Sequence, residues 1–239
     1  MTQYNHIKTI LFDLDGTLRH NRPSANDKVF EYAEQMGIPN SKTKRQEAIR
    51  WAHYYWAQSP ELFEDMAVHG ELNEDFWEQY LFRNLIAFGC GQEEAKTYTP
   101  QLAQLMSEGY NPTSYIPPAV PDTLKTLKAA GFTLGLLTNR SNPVDEELEE
   151  LGLTPYLEFG VVAGAIKSWK PESGIFLRAL ELAGSAAEET IYIGDNYFTD
   201  VVGATNAGIT PILVDPESIF PEAECKVILS IGELWDLFT

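Results

Sequence analysis

Short apolar runs rich in β-branched residues alternate with amphipathic stretches across the second half of this chain, and that alternation leaves few folds open. The runs Phe132–Thr138, Phe159–Ala163, Thr190–Gly194 and Thr210–Val214 read as strands, with Val227–Ile231 as an edge strand. Between them, Pro121 opens a helix whose Leu124 and Leu127 share one face and which Gly131 stops. Pro171 opens another, with Ile175, Phe176, Ala179, Leu180 and Ala183 as its buried stripe and Gly184 at its end. Strand and helix in turn predict an α/β fold, a doubly wound parallel sheet with helices on both faces.

The first strand of this pattern, Thr9 to Leu14, is cut off from the rest. From about Arg22 to Thr113 no strand run occurs and helical spacing dominates. Ser24 followed by Asp27 reads as a cap, Val29, Tyr32, Ala33 and Met36 form a stripe, and Gly37 ends it. Half of the chain's aromatic residues fall in this stretch, which is under two fifths of its length. A helical segment so dense in Trp, Tyr and Phe has a core of its own. The expected organisation is an α/β core of residues 1–20 and 115–239 with an inserted all-helical domain, 21–114, and a proline-rich return near Gly109–Pro121.

Composition narrows the partners. A net charge of −18 over 239 residues repels nucleic acid and anionic membranes. A small anion can still bind where a metal ion and a few cations reverse the local field. Cys90 and Cys225 are too few for a disulfide framework or a Cys-rich zinc site. No apolar run approaches the ~20 residues of a membrane span. The expectation is a soluble, cytoplasmic protein, monomeric or a small homo-oligomer.

The segment Ile10-Leu11-Phe12-Asp13-Leu14-Asp15-Gly16-Thr17-Leu18 carries the strongest chemical signal. Residues i and i+2 of a strand share a side, so Asp13 and Asp15 face one site at the strand's carboxyl end, where open α/β sheets bind ligands. Gly16 permits a sharp exit. An EF-hand loop fails here, because its sixth and twelfth positions hold Leu18 and Ser24 instead of Gly and Glu. Three further features end other predicted strands or open helices: Thr138-Asn139, Lys170-Pro171, and Gly194-Asp195-Asn196 with Asp200. Singly each reads as a turn, a solvated charge or a helix cap.

In this order they resemble the haloacid dehalogenase (HAD) superfamily, and the helical block stands where that superfamily's type 1 cap is inserted. Carboxylates of Asp13, Asp15 and Asp195 brought together would repel, and a hard divalent cation such as Mg²⁺ relieves that. The resemblance implies a phosphatase acting on a small phosphorylated metabolite. Asp13 is then the nucleophile and a metal ligand, and Asp15 the general acid/base with its carbonyl on the metal. Thr138 and Asn139 hold the phosphoryl group, Lys170 neutralises it, Asp195 binds Mg²⁺, and Asp200 orients Lys170 or a metal-bound water. The second aspartate argues against dehalogenation, which has no alcohol to protonate. A sugar-phosphate mutase, or a non-catalytic phosphate- or metal-binding module, is the alternative.

The sequence departs from the family in two places. Lys167 and Lys170 compete for one role, and Lys170 is preferred because Pro171 follows it. Arg19, His20 and Asn21 follow the first motif where many phosphoglycolate-phosphatase-like relatives carry an aliphatic residue, Asp and Ser. Arg19 and His20 are therefore candidate specificity residues, and Arg50 is another because Arg50, His53 and Tyr54 fall at i, i+3 and i+4 on one helix face. The basic run Lys42, Lys44, Arg45 and Arg50 reads as a solvated helix face. Trp51, Tyr55, Trp56, Trp77 and Phe82 read as core of the helical domain, and His6 and His69 as surface positions.

Overall fold

The computed structural model describes residues 4–239. In chain order the elements begin with β1 (Thr9–Phe12), β2 (His20–Arg22), α1 (Ala25–Gln35), α2 (Lys42–Tyr55), α3 (Pro60–His69), α4 (Glu74–Ala87) and α5 (Gln92–Gly109). The chain continues through β3 (Thr113–Tyr115), α6 (Ala119–Ala129), β4 (Thr133–Thr138), α7 (Asp145–Glu150), β5 (Phe159–Val162), α8 (Ala163–Ile166) and α9 (Ser173–Ala183). It ends with β6 (Thr190–Gly194), α10 (Val202–Asn206), β7 (Thr210–Val214) and β8 (Lys226–Ile228). Two compact units emerge, Met1–His20 with Tyr115–Thr239, and Asn21–Ser114.

In the first unit six strands form one sheet in the order β5-β4-β1-β6-β7-β8, and every pairing is parallel. The doubly wound α/β fold expected from the sequence is therefore present. Its two faces follow from the two-residue period of a strand. Ile10 and Phe12, Leu134 and Leu136, and Ile191 and Ile193 point to a core shared with Val120, Leu124 and Leu127 of α6 and Leu148 of α7. Leu11, Leu137, Val161 and Tyr192 point the other way, to Ile175, Phe176 and Ala179 of α9 and Ala204 of α10. Asp13 continues the parity of Leu11, so its side chain belongs to the α9 face.

The order of the strands reverses around β1: the chain goes from β1 to β4 and β5 on one side, then returns to β6 on the other. Such a switch point opens a crevice at the carboxyl ends of the strands, where α/β proteins hold their ligands. Phe12 aligns with Leu136 of β4 and Ile193 of β6, so the residues that follow these three positions share one end of the sheet.

Several boundaries differ from the sequence reading. The helix expected to open at Pro121 begins at Ala119. The one expected at Pro171 begins at Ser173, so Lys170 lies in the loop before the helix instead of at its start. The edge strand covers Lys226–Ile228, and Ile231–Glu233 turns as a 3₁₀ helix. Two short strands, β2 and β3, pair at the points where the chain passes between the units. With three residues each and largely exposed side chains, they carry no periodic signal.

The second unit is helical, from α1 to α5. Ser24 caps α1 by accepting from the Asp27 amide, as its position in the sequence suggests. Val29, Phe30 and Ala33 of α1, Leu85 of α4 and Leu102 of α5 form the main core. A second cluster gathers Tyr55, Leu62 and Phe76, with Trp51, Trp56 and Tyr80 packed against it. Within it the buried Asp65 accepts from Tyr55 Oη at 3.0 Å and from Arg83 at 2.7 and 2.8 Å. Trp77 departs from the core reading, since 43% of its surface is exposed. The basic run of α2 is also not simply a solvated face: Lys44 lies over the Phe88 ring and Arg45 over Phe30. In both cases the charged head group lies against the ring face, a cation–π contact. Among the described residues no helix is long and apolar enough to cross a membrane.

Candidate active site

At the carboxyl end of β1 the Asp13 amide donates to the Ile193 carbonyl of β6, which extends the ladder by one residue and fixes where the carboxylate points. Lys170 Nζ meets it there at 2.7 Å. The same ammonium donates to Asp200 Oδ1 at 2.7 Å and lies 2.8 Å from Tyr192 Oη. Lys170 is 2% exposed, so a lysine is buried because two carboxylates and a phenol surround it. Lys167, the competing candidate, is exposed and takes a left-handed backbone conformation.

The loop that delivers Lys170 is held by Asn139, which follows β4. Its amide donates to the Lys170 carbonyl at 2.9 Å, and its side-chain oxygen accepts from the Lys170 N–H at 2.7 Å. The expectation that Asn139 sits on the phosphoryl group thus meets a different geometry: its side chain is committed to the backbone of Lys170. Thr138, the last residue of β4, is buried beside it.

Asp200 lies in a π-helical turn, Tyr197–Val201, that follows β6. Thr199 Oγ1 and the Asn196 amide also donate to its carboxylate, at 3.1 and 2.9 Å. A Cβ on Gly194 would stand 2.2 Å from Asp200 Oδ2, so only glycine at the end of β6 admits this carboxylate. Gly16 serves Asp195 in the same way: a Cβ there would be 2.3 Å from Asp195 Oδ2, and φ is +91°. The glycine of the first motif makes room for a carboxylate as well as turning the chain.

Carboxylate oxygens of Asp13, Asp195 and Asp200 all lie within 4.8 Å of one another. Three acids converge, as the sequence suggested, but the third is Asp200 and not Asp15. Against three negative charges stands the single ammonium of Lys170. Burial pushes the Asp13 carboxyl up to about 7, against the pull of Lys170 and with the push of Asp200. Burial, then the charges of Asp13 and Asp200, hold Asp195 well above the usual carboxylate range. Lys170 moves in the direction that keeps it charged, because Asp13 and Asp200 outweigh its desolvation. With all three carboxyls ionised, negative charge would exceed positive by two, and the all-oxygen donor set suits a hard divalent cation that relieves it.

Asp15 turns elsewhere. Arg140 takes its carboxylate in a fork, Nε to Oδ2 and Nη2 to Oδ1, both at 2.7 Å. Arg19 Nη1 donates to Oδ1 at 2.9 Å. Glu147 of α7 pairs with Arg140 Nη1 and, at 3.2 Å, with Arg19 Nε. Burial pushes the Asp15 carboxyl up, but the hydrogen bonds and charges of Arg140 and Arg19 outweigh it and hold the group below its ordinary value. A general acid was expected here, and this arrangement keeps Asp15 ionised. Sequence reasoning missed Arg140, Glu147 and Tyr192. Arg140 directly follows Thr138-Asn139, the one signal that pointed to it. His20 begins β2, and Arg50 belongs to α2 of the helical unit.

Residues 7–208 match the haloacid dehalogenase-like hydrolase family. The chain belongs to that family. Among curated relatives, the phosphoserine phosphatase of Thermus thermophilus is 25% identical over 97% of this chain and 98% of its own length. The ribulose-1,5-bisphosphate 5-phosphatase of Halopiger xanaduensis is 26% identical over 95% of this chain and 98% of its own. Among solved structures, the magnesium-bound HAD-hydrolase YfnB of Bacillus subtilis superposes with a TM-score of 0.60 at 20% identity, over 98% of this chain and 99% of that one. A 2-haloacid dehalogenase from Pseudomonas syringae has a TM-score of 0.55 at 25% identity over 97% of this chain and 98% of that one. Fold alone therefore spans both chemistries. The named activities among the curated relatives place the chain on the phosphatase branch, with the phosphoric monoester hydrolases.

Proposed function

We propose that this HAD-family hydrolase is a Mg²⁺-dependent phosphatase that cleaves a small phosphorylated metabolite through an aspartyl phosphate on Asp13. The observation that carries the reading is the Lys170 ammonium held between Asp13 and Asp200 at the switch point of the sheet. Residues 1–20 and 115–239 form the catalytic core in this reading, and 21–114 a cap that selects the substrate. The setting is cytoplasmic, and the protein binds neither nucleic acid nor membrane.

Asp13, Asp195 and the Asp15 backbone carbonyl would hold the metal, which supplies positive charge to the phosphoryl oxygens when bound. A carboxylate oxygen of Asp13 attacks phosphorus, and the bond from phosphorus to the ester oxygen breaks. Lys170 keeps Asp13 aimed and neutralises charge on the transferred group, with Asp200 and Tyr192 fixing the ammonium. Thr138 binds a phosphoryl oxygen, and Asn139 keeps the Lys170 loop in place. Asp15 protonates the leaving alcohol, then takes a proton from the water that attacks phosphorus and frees inorganic phosphate. In the Arg140 fork both Asp15 oxygens are acceptors of an ionised carboxylate, so Asp15 must first leave the fork and take up a proton from solvent before it can give one to the leaving oxygen. Arg19, His20 and Arg50 stand as the candidates for substrate contacts.

The test is inorganic phosphate release from a panel of phosphorylated metabolites, with Mg²⁺ and with chelator, and with Asp13→Asn on every compound. Metal-dependent release that vanishes in the variant is expected. Release that persists in Asp13→Asn, or no release from any compound by folded protein in Mg²⁺, overturns the proposal.

A further inference from the structure

Two guanidiniums converge on one partly exposed carboxylate beside the nucleophile, and the reaction at Asp13 needs neither of them. Arg140 binds Asp15 through two parallel bonds of 2.7 Å, the geometry with which a guanidinium recognises carboxylate or phosphate. Arg19 adds a third bond at 2.9 Å. Glu147 touches both arginines from elsewhere, so if Asp15 departs they stay aimed and carry one net positive charge. The Asp15 side chain is 41% exposed and that of Arg140 31%, so a solute reaches the fork without opening the core. A bidentate fork within a network of four ion pairs is preorganised, and its exposed edge leaves it open to an anion of the same geometry.

We propose that Arg140 and Arg19 form a clamp for a second anionic group on the substrate, a carboxylate or a further phosphate a few bonds from the ester oxygen. This rests on the phosphatase reading above and names its substrate class. The incoming anion replaces the Asp15 carboxylate on the two guanidiniums. One set of charge-assisted hydrogen bonds is exchanged for another, and Asp15 is released toward the leaving oxygen. Arg140 and Arg19 are then specificity residues. Glu147 is a positioning residue, acting through the arginines.

A matched trio tests this: n-propyl phosphate, 3-phosphooxypropanoate and ethane-1,2-diol bisphosphate, which differ only in a terminal methyl, carboxylate or phosphate. The wild-type kcat/KM is expected to favour at least one of the two anionic compounds over propyl phosphate, and which one identifies the anion. Arg140→Gln and Arg19→Gln should each cut that ratio on the order of 10- to 100-fold, the worth of one or two hydrogen bonds between charged groups. Arg140→Lys keeps the charge without the fork and should fall between. Glu147→Gln should raise KM for the anionic compound more than it lowers kcat, and Glu147→Asp should restore part of the loss. Dissociation constants of the trio measured on Asp13→Asn carry the same ratio without turnover. A wild type indifferent to the second anion, or a ratio unmoved in both arginine variants, overturns the clamp. Phosphate release that persists in Asp13→Asn overturns Asp13 as the nucleophile, and no release from any compound by the wild type overturns the phosphatase reading; in either case the binding ratio still decides the clamp.

Discussion

Replacing Gly16 by alanine separates two jobs that one glycine performs. The residue has φ of +91°, and its added Cβ would stand 2.3 Å from Asp195 Oδ2, 2.5 Å from Cγ and 2.8 Å from Oδ1. Gly131 has nearly the same φ, +92°, with nothing within 4 Å of its Cβ position, so Gly131→Ala measures the cost of a positive φ without a steric contact. A left-handed backbone costs an L-residue about 1–2 kcal/mol, and both variants should lose that much stability. Only Gly16→Ala must also move the Asp195 side chain, either by overpacking, for about 1–3 kcal/mol more, or by swinging the carboxylate away from Asp13. The second outcome is cheap in stability and harmful to metal binding. A tenfold weaker Mg²⁺ affinity removes about 1.4 kcal/mol of ligand stabilisation. That corresponds to about 3–6 °C of the Mg²⁺-induced rise in Tm for a protein of this size. The assay is thermal unfolding of wild type and both variants across a Mg²⁺ titration, with phosphate release alongside. If Gly16→Ala keeps the wild-type Mg²⁺ response and turnover and loses no more stability than Gly131→Ala, the contact with Asp195 has no functional weight and the reasoning is refuted.

Without metal, stability should depend on pH through Asp13. Its folded value of about 7 lies above the ordinary 3.8, so the folded chain holds a proton that the unfolded chain releases. The stabilisation is complete below the unfolded value and is lost as pH rises through about 7, with Asp195 acting in the same direction. Asp15, held low by its arginines, is ionised in both states above about pH 5 and adds no slope there. Thermal unfolding in chelator should show a lower Tm at about pH 8 than at about pH 5, and Asp13→Asn should flatten that difference; an unchanged slope in the variant contradicts the assignment. Lys170→Met leaves Asp13 and Asp200 buried without their cation and should cost about 3–5 kcal/mol in urea unfolding at neutral pH, with loss of turnover. Part of that loss should return at lower pH, where the two acids can be protonated. A wild-type urea midpoint at neutral pH would show that the ammonium does not hold the pair together.

Sequence patterning and tertiary structure decided different parts of this protein. The alternation of apolar runs located the strands β1, β4, β5, β6 and β7, because a strand buried on both faces must be apolar along its length. It also located the residues that end them, since chemistry in such sheets gathers at their carboxyl ends. Asp13, Thr138 and Asp195 were legible for that reason, Lys170 through the proline that follows it, and the aromatic density from Arg22 to Thr113 marked a second core. The ionic partner of Asp15 was not legible. Arg140 stands 125 positions away along the chain, and nothing in local periodicity says which arginine reaches which carboxylate. Tyr192 reads as an ordinary apolar position of β6 until the sheet sets its hydroxyl against Lys170 and Asp200. The choice of Lys170 over Lys167 rested on a neighbouring proline in the sequence; in the fold it rests on the reciprocal amide bonds of Asn139. Period and composition specify which face of an element is buried, a local property carried by neighbouring residues. Which charged groups meet is set by how crossover connections bring distant strand ends together, and only the assembled sheet contains that information.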